Sequence, residues 1–572
     1  MRSWPLQSDD SIESNTAAVD SENSITAQNA NDSDRFQRGL KVLFLSSDTG
    51  GGHRASAEAL GKQFQLLFPG TTYDLLDVVE KDGVPPYNSL VSYYKHLSAR
   101  PTQWKLVYSV SNSRAFEMLA DAHLKLMCER AVRRSIKSYD PDVVVSVHPL
   151  MTNVPVLSCS KISHETGRHL PMFTVVTDLG SAHCLWFANG VEKMFVGSKQ
   201  VKELAKVRGK VPEEKLVELG LPIRHEFAVH SEKLGDRMSP EGKEYQRQVR
   251  RDLELPYHDR KTVLVMGGGE GVGALANIVD AIYVELVSQG IDAQVLVVCG
   301  RNEKLKKSLE TRNWLEVFKR WRAAKERTAG VLSLGDACDP IAVAGCIETG
   351  TVTGSIRRML SRGSLTMSAV TAPLPAAAEP ELADEKKAGD ADYSSEDAQQ
   401  HNSSTQSAES LAYQRACSGF LEGKSPGQVN VIGLGFVTRM AEYMVAADVL
   451  VSKAGPGTIV EAAALSLPIL LTSFLPGQEE GNVDYVVDGG FGAFCSDSDP
   501  IGIAEEVCMW LSDENKRARL SHAAKAHGHP NAARDIAKMI GDSTLKWIEH
   551  NDEVALATAM KKSIEEEKAS NA

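Results

Sequence analysis

Short continuous apolar runs alternating with helix-period segments set the pattern of this chain. The first run, KVLFLS at Lys41–Ser46, is bounded by a glycine loop and then by a helical apolar period over Ala55–Phe68, as expected of a buried parallel strand feeding a helix. Further strand-type runs occur at Thr72–Asp77, Asp142–Val147, Phe173–Thr177 and Lys193–Val196, with helix-compatible stretches between them. A second set follows the polar, charged stretch His230–Arg260, at Thr262–Met266, Gln294–Val298, Val429–Gly433, Val449–Ser452 and Ile469–Leu471. This alternation implies an α/β fold of doubly wound sheets, and two sets in tandem imply two halves with a cleft between them. Ligands of such sheets lie outside the carboxyl ends of the strands, which is where both glycine clusters of the chain fall.

The pattern lapses over residues 339–428, where Ala, Ser, Pro, Asp and Glu predominate. Too little apolar surface is available there to offset ordering entropy, so a disordered insertion is expected, either a tolerated loop expansion or a regulatory segment. Residues 1–39 are polar and acidic, unlike the apolar stretch of a secretory signal or the acid-poor, Arg-rich transit peptide, and are expected to be a disordered tail. The expected units are therefore the tail 1–39, a first α/β domain 40–229, and a second built from 260–338 and 429–500 around the insertion 339–428. C-terminal helices 501–550 and a charged tail 551–572 follow.

Composition narrows the function classes. Across 572 residues, 42% are hydrophobic and 24% charged, a globular balance. The formal net charge of −12 leaves no global basic field, which argues against a nucleic-acid partner. No run approaches the ~18 consecutive apolar residues of a spanning helix. The nine cysteines are scattered without a C-x-x-C pair, so they are expected to be reduced packing residues rather than zinc ligands. Between Gly83 and Met127 aromatic residues (Tyr87, Tyr93, Tyr94, Trp104, Tyr108) mix with Lys95, Arg100, Lys105 and Arg114. That mixture suits a membrane headgroup interface and equally a pair of amphipathic helices packed on the first sheet.

Three constellations carry candidate chemistry. In SSDTGGGHRASAEA, Ser46–Ala59, a strand ends in glycines and a helix begins. The backbone at Gly51 and Gly52 can approach a ligand closely, and His53 has a side chain fit for a general base toward a hydroxyl, the alternative being a helix-packing role. In VMGGGEGVGAL, Val265–Leu275, the glycines Gly267, Gly268, Gly269 and Gly271 form a second strand-glycine-helix junction. Gly269, Gly271 and Ala274 satisfy G-x-G-x-x-A, but the next strand ends in VVCGRN, with Cys299 and Gly300 where a dinucleotide site wants an acidic residue. A nucleotide diphosphate is the better ligand, and no G-x-x-x-x-G-K-[ST] is present for a P-loop ATPase. In ADVLVSKAGPGTIVEAAALSLPILL, Ala447–Leu471, Lys453 and the turn Gly455, Pro456, Gly457, Thr458 end a strand ahead of a helix expected from near Thr458. Its positive end suits a diphosphate, and Glu461 in the first turn could accept from ribose hydroxyls or merely complement the dipole. Gln478, Glu479 and Asn482 of the following PGQEEGN offer a polar cluster for sugar hydroxyls.

Read in order, GGGHRASAEA, TDLGSAHCLWF, GLPIR, VMGGGEGVG, SKAGPGTIVEA and PGQEEGNVDYVVDGGFG resemble the monogalactosyldiacylglycerol synthase family, and more loosely bacterial lipid-linked N-acetylglucosamine transferases and processive diacylglycerol glucosyltransferases. The resemblance spans about Lys41–Leu511 without the insertion. It implies a GT-B fold of glycosyltransferase family 28 type, UDP-galactose as donor, diacylglycerol in a membrane surface as acceptor with anionic lipid as a further candidate partner, inversion at the anomeric centre, no cofactor or metal, and a peripheral site on the plastid envelope. It makes His53 the base and Asp178 its orienter, with Trp186 on the acceptor side; Pro86 and Tyr87 of the aromatic and basic segment Gly83–Met127 are the further acceptor or lipid candidates. It further implies Arg224 at the donor phosphates, Gly435, Phe436 and Val437 at the uracil, Glu461 at the ribose, and Gln478 and Glu479 at the galactose. TDLGSAHCLWF departs from the plant-type run between Leu179 and Trp186, and the expansion over 339–428 adjoins the donor side. Transfer of glucose or N-acetylglucosamine to another lipid, a UDP-sugar epimerase and a non-catalytic sugar-nucleotide sensor stand as the rival readings.

Overall fold

The computed structural model describes residues 39–47, 51–85, 87–98, 100–267, 275–321 and 426–570. Two six-stranded sheets organise them. The first comprises β1 (Lys41–Leu45), β2 (Thr72–Leu76), β3 (Val143–Ser146), β4 (Met172–Val175), β5 (Met194–Val196) and β6 (Leu216–Glu218) in the order β2-β1-β3-β4-β5-β6. The second comprises β7 (Lys261–Met266), β8 (Ala293–Val298), β9 (Val429–Leu434), β10 (Val449–Ser452), β11 (Ile469–Leu471) and β12 (Gly492–Phe494) in the order β12-β11-β10-β7-β8-β9. Every pairing is parallel, as in Val42 beside Val143 and Val263 beside Val449. Parallel strands are covered on both faces, which is why the strand runs are unbroken apolar stretches rather than alternating ones. Strand order reverses between β1 and β3 and again between β7 and β10, so each sheet opens a crevice at that point for a ligand.

All ten strand-type runs anticipated in the sequence are strands. The two additional ones, β6 (LVE) and β12 (GAF), are short edge strands with partly exposed residues, so they lack the unbroken apolar run of equally short β5 and β11. The charged stretch His230–Arg260, which separates the two sets of strands, holds the second half of the helix His225–Leu234 and all of the helix Pro240–Asp252. Between them, buried Arg237 donates to the carbonyls of Met444, Val445, Ala447 and Leu465, which end neighbouring helices, and Gln246 donates to two of the same carbonyls.

The helices around the first crevice are α1 (Gly51–Leu67), α2 (Leu90–Ser98), α3 (Pro101–Ser111) and α4 (Arg114–Met127). Ser113 caps α4 by accepting from the Phe116 N–H, and α4 buries Ala120 and Leu124. Its other face is apolar too: Met118, Leu119 and Leu126 are 74%, 69% and 82% exposed. Amphipathic packing on the sheet therefore does not account for this segment. In the second half, α5 (Pro456–Ala464) follows β10 and α6 (Glu480–Asp488) follows β11.

A last helix, α7 (Ala532–Ser570), returns the chain to the first sheet. Its Ile536, Ala537 and Ile540 share a core with Phe64 of α1 and with Phe68 just after it. The side chain of Asn551 accepts from the His169 N–H and donates to the His169 carbonyl. The segment expected as a charged tail continues this helix to Ser570, with exposed side chains from Asp552 onward. The expected N-terminal tail and the insertion lie outside the described residues, save Gly39 and residues 426–428. None of the six cysteines among the described residues is in a disulfide.

Because Ile536 is fully buried between α7 and the first sheet, Ile536→Ala is expected to cost about 2–5 kcal/mol. The check is the midpoint of denaturant unfolding; an unchanged midpoint would show that α7 is not bound to that core.

Candidate active site

The imidazole of His53, third residue of α1, lies in the first crevice against the ends of β3 and β4. Its Nδ1 shares a 2.8 Å hydrogen bond with Thr177 Oγ1. The His148 ring stands edge-on at 4.7 Å and the Trp186 ring lies 6.1 Å away. Burial pushes the His53 pKa down to about 4, partly offset by a hydrogen bond to the Val147 backbone. Burial also holds His148 well below the usual histidine range, helped by His53 and His183 beside it, and takes His183 to about 4. A cluster of neutral imidazoles results, and a neutral imidazole can accept a proton.

Asp178 does not orient His53 as the resemblance implied. Its Oδ2 accepts from the Trp186 indole N–H at 2.6 Å, and the contact to His53 comes from the preceding residue, Thr177. Burial raises the Asp178 pKa to about 6, against the lowering effect of the Trp186 bond and the His183 backbone. Trp186 is itself fully buried, so it backs the crevice and does not face an acceptor. Tyr87 occupies a half-buried 3-10 turn, 5.7 Å from the His123 ring. Pro86 lies outside the described residues, as do Gly268, Gly269 and Gly271. Gly51 and Gly52 open α1, and a Cβ at Gly52 would meet nothing within 4 Å.

Across the cleft, α5 begins at Pro456, two residues earlier than the sequence suggests, with Gly455 as an N-cap that supplies no side-chain bond. No cap side chain satisfies its first N–H groups, and a Cβ at Gly457 would likewise stand in open space. This earlier start moves Glu461 into the second turn. There it accepts from Arg224 at 3.0 Å, so these two expected donor-binding residues are paired with each other. Burial raises the Glu461 pKa while Arg224 opposes the rise. Gly267 ends β7, and Gly435, Phe436 and Val437 follow β9, where the Phe436 ring is 72% exposed.

The PGQEEGN segment is engaged in joining the halves. Asn482, 1% exposed, accepts from the Gly180 N–H at 2.8 Å and donates to the Ala454 carbonyl at 2.9 Å. Both ends of its amide are thus committed, so Asn482 does not join the polar cluster for sugar hydroxyls. Glu479 accepts from Lys453 Nζ at 2.7 Å and from the Leu475 N–H, while the Gln478 carbonyl accepts from Ser181. Gly180 and Gly481 meet so closely that a Cβ on Gly180 would lie 1.9 Å from the Gly481 carbonyl oxygen. Tyr108 of α3 packs on Gly477, whose φ of +80° favours glycine. Sequence reasoning missed Thr177, His148, Ser181 and this role of Tyr108. The usable signals were a histidine directly after the DVVVSV strand and a threonine within TDL.

Residues 53–223 match the family described as monogalactosyldiacylglycerol (MGDG) synthase, and residues 393–536 match the glycosyltransferase family 28 C-terminal domain. The chain is thus similar to monogalactosyldiacylglycerol synthases in its first half and to family 28 glycosyltransferases in its second. A probable monogalactosyldiacylglycerol synthase 2 of Oryza sativa subsp. indica is 29% identical over 507 residues, spanning 87% of this chain and 80% of that protein. Monogalactosyldiacylglycerol synthase 1 of Arabidopsis thaliana is 28% identical over 490 residues, 84% of this chain and 67% of that one. Both relatives are named chloroplastic. The crystal structure of Acinetobacter baumannii MurG aligns over 88% of this chain and 99% of that one at 11% identity, with a TM-score of 0.45. For this glycosyltransferase the two facing sheets form a GT-B fold.

With His53 neutral down to about pH 4, the kcat/KM of transfer is expected to stay level as pH falls through 6.5 and to drop only as His53 takes up a proton near 4. An acid limb near 6 that disappears in Asp178→Asn would assign the base to Asp178 instead. Thr177→Val is expected to lower kcat at least tenfold with little change in KM, and Thr177→Ser to restore it. Equal rates for the valine and serine variants would remove Thr177 from any positioning role.

Proposed function

We infer that this chain transfers galactose with inversion from UDP-galactose to the sn-3 hydroxyl of 1,2-diacylglycerol, forming monogalactosyldiacylglycerol. The observation that carries this reading is that relatives matched along most of the chain are monogalactosyldiacylglycerol synthases by name. Position and protonation of His53 support it: a neutral imidazole in the first crevice is suited to accept the proton of the acceptor hydroxyl as that oxygen attacks the anomeric carbon. The departing UDP gains negative charge, which the uncapped N-terminus of α5 and Lys453 are placed to stabilise. In this scheme Gly267–Gly271 and the Gly455–Thr458 turn hold the diphosphate, Gly435–Val437 the uracil through backbone groups, and Gln478 and Glu479 the galactose. Arg224 exchanges Glu461 for a donor phosphate, which frees Glu461 for the ribose hydroxyls.

Diacylglycerol resides in a bilayer, and among the described residues no helix is long and apolar enough to cross one. The reading therefore has the enzyme dock on the membrane from one side, through the exposed apolar face of α3 and α4. Leu106, Val110, Met118, Leu119 and Leu126 there are each more than half exposed, a surface unusual for a protein that meets only water. Lys105, Arg114 and Lys125 of the same helices add attraction to anionic lipid. The relatives are named chloroplastic, which supports a plastid membrane, and the envelope is the one this reading proposes.

In an assay offering UDP-galactose, UDP-glucose and UDP-N-acetylglucosamine with diacylglycerol liposomes, only UDP-galactose is expected to give lipid product, and a different preferred donor would overturn the assignment. His53→Ala is expected to reduce turnover by about 10²–10⁴ while UDP affinity, read by calorimetry, persists; near-normal turnover would reject His53 as the base. Replacing both Met118 and Leu119 by Glu is expected to abolish co-flotation with liposomes, whereas retained flotation would place the docking face elsewhere.

A further inference from the structure

Arg224, which exchanges Glu461 for a donor phosphate in the proposed scheme, stands just ahead of the helix His225–Leu234 and gives it no side-chain cap. Its guanidinium donates to Glu461 at 3.0 Å, lies 3.5 Å from a Glu226 oxygen and sits 5.0 Å from the centroid of the Phe227 ring. Phe227 and Leu234 of that helix share a core with Ile459 of α5. The helix that follows Arg224 is therefore packed into the second half of the molecule, although it precedes the second sheet in the chain.

A side-chain bond ties the start of this helix to the first half. Gln63 of α1 is buried, and its amide nitrogen lies 3.1 Å from Nδ1 of exposed His225. His53 and Gln63 belong to the same helix, and their places along it set them about 15 Å apart on its axis. Helix starts without a side-chain cap leave their first N–H groups unpaired and fray. A hydrogen bond to the first residue of the helix, made from a buried side chain of a packed neighbour, restrains the turn from which Arg224 projects. An arginine that must swing from a carboxylate to a phosphate gains from a fixed backbone, because ordering the backbone on binding would cost affinity.

We propose that Gln63 is a positioning residue for the donor, holding His225 so that Arg224 is presented to the UDP diphosphate in register with the base carried by the same α1 helix. The proposal rests on the assignment of Arg224 to a donor phosphate and adds the residue through which the first half of the molecule acts on it.

The test measures UDP binding to the full chain by calorimetry, and KM for UDP-galactose in the transfer assay. Gln63→Leu is expected to weaken UDP binding about fivefold, the usual worth of one hydrogen bond, and to raise KM for UDP-galactose by a similar factor rather than lower kcat. Gln63→Glu, which can still accept from a ring N–H, is expected to recover most of that affinity. His225→Ala, at an exposed position where substitutions rarely disturb folding, is expected to match Gln63→Leu, and the double variant to be no weaker than either alone. In the Arg224→Ala background, Gln63→Leu is expected to add nothing. Unchanged UDP affinity in Gln63→Leu and His225→Ala, or a further fivefold loss in the Arg224→Ala background, would overturn the proposal. Unchanged UDP affinity in Arg224→Ala itself would defeat the donor-phosphate assignment, and the proposal would fall with it.

Discussion

The amide of Asn482 spans the junction of the two sheets, bonded at one end to the Gly180 N–H in the first half and at the other to the Ala454 carbonyl in the second. Buried amide groups tolerate no missing partner, so this bridge fixes where the TDLG loop sits relative to the start of α5. Ser181 and Gln478 reinforce it, and the backbones of Gly180 and Gly481 touch without room for a side chain on either. Three residues before Gly180 stands Thr177, which holds the imidazole; one residue after Ala454 stands the Gly455 cap of α5. The junction thereby sets the spacing of base and diphosphate site through a few rigid peptide units, and displacements of about an ångström at such a place matter greatly to catalysis.

Electrostatics then follow from burial. Three imidazoles around the first crevice are kept neutral by desolvation, while Asp178 is raised to about 6 and anchored by the Trp186 indole. A neutral base accepts the proton of a neutral alcohol, and negative charge accumulates only across the cleft, where helix amides and Lys453 await it. The Arg224–Glu461 pair occupies part of that region in the present state. Donor binding must exchange a half-exposed ion pair for contacts with phosphate and ribose, a substitution of charged partners rather than the burial of an unpaired charge.

Much of this was legible in the sequence for a physical reason. Parallel strands covered on both faces must be continuously apolar, so the ten longer runs declared themselves, and glycine clusters at their ends located both crevices. What stayed hidden depended on tertiary packing. β6 and β12 are edge strands with partly exposed residues and no unbroken apolar run, and the charged surface of the helices within His230–Arg260 concealed their buried positions. Asn482 has the composition of a sugar ligand, and only the fold shows it committed to the junction. The pairing of His53 with Thr177 rather than Asp178 turns on which way two adjacent side chains point at the end of β4, where a one-residue step along a strand reverses direction.

The central claim is that the N-terminus of α5 faces the His53 crevice and receives the donor diphosphate. The most direct measurement is a structure determined with UDP bound. A diphosphate within hydrogen-bond distance of the backbone N–H groups of Gly457 and Thr458, with Arg224 released from Glu461, is the expected result. A diphosphate lodged away from α5, with the Arg224–Glu461 pair intact, would contradict it.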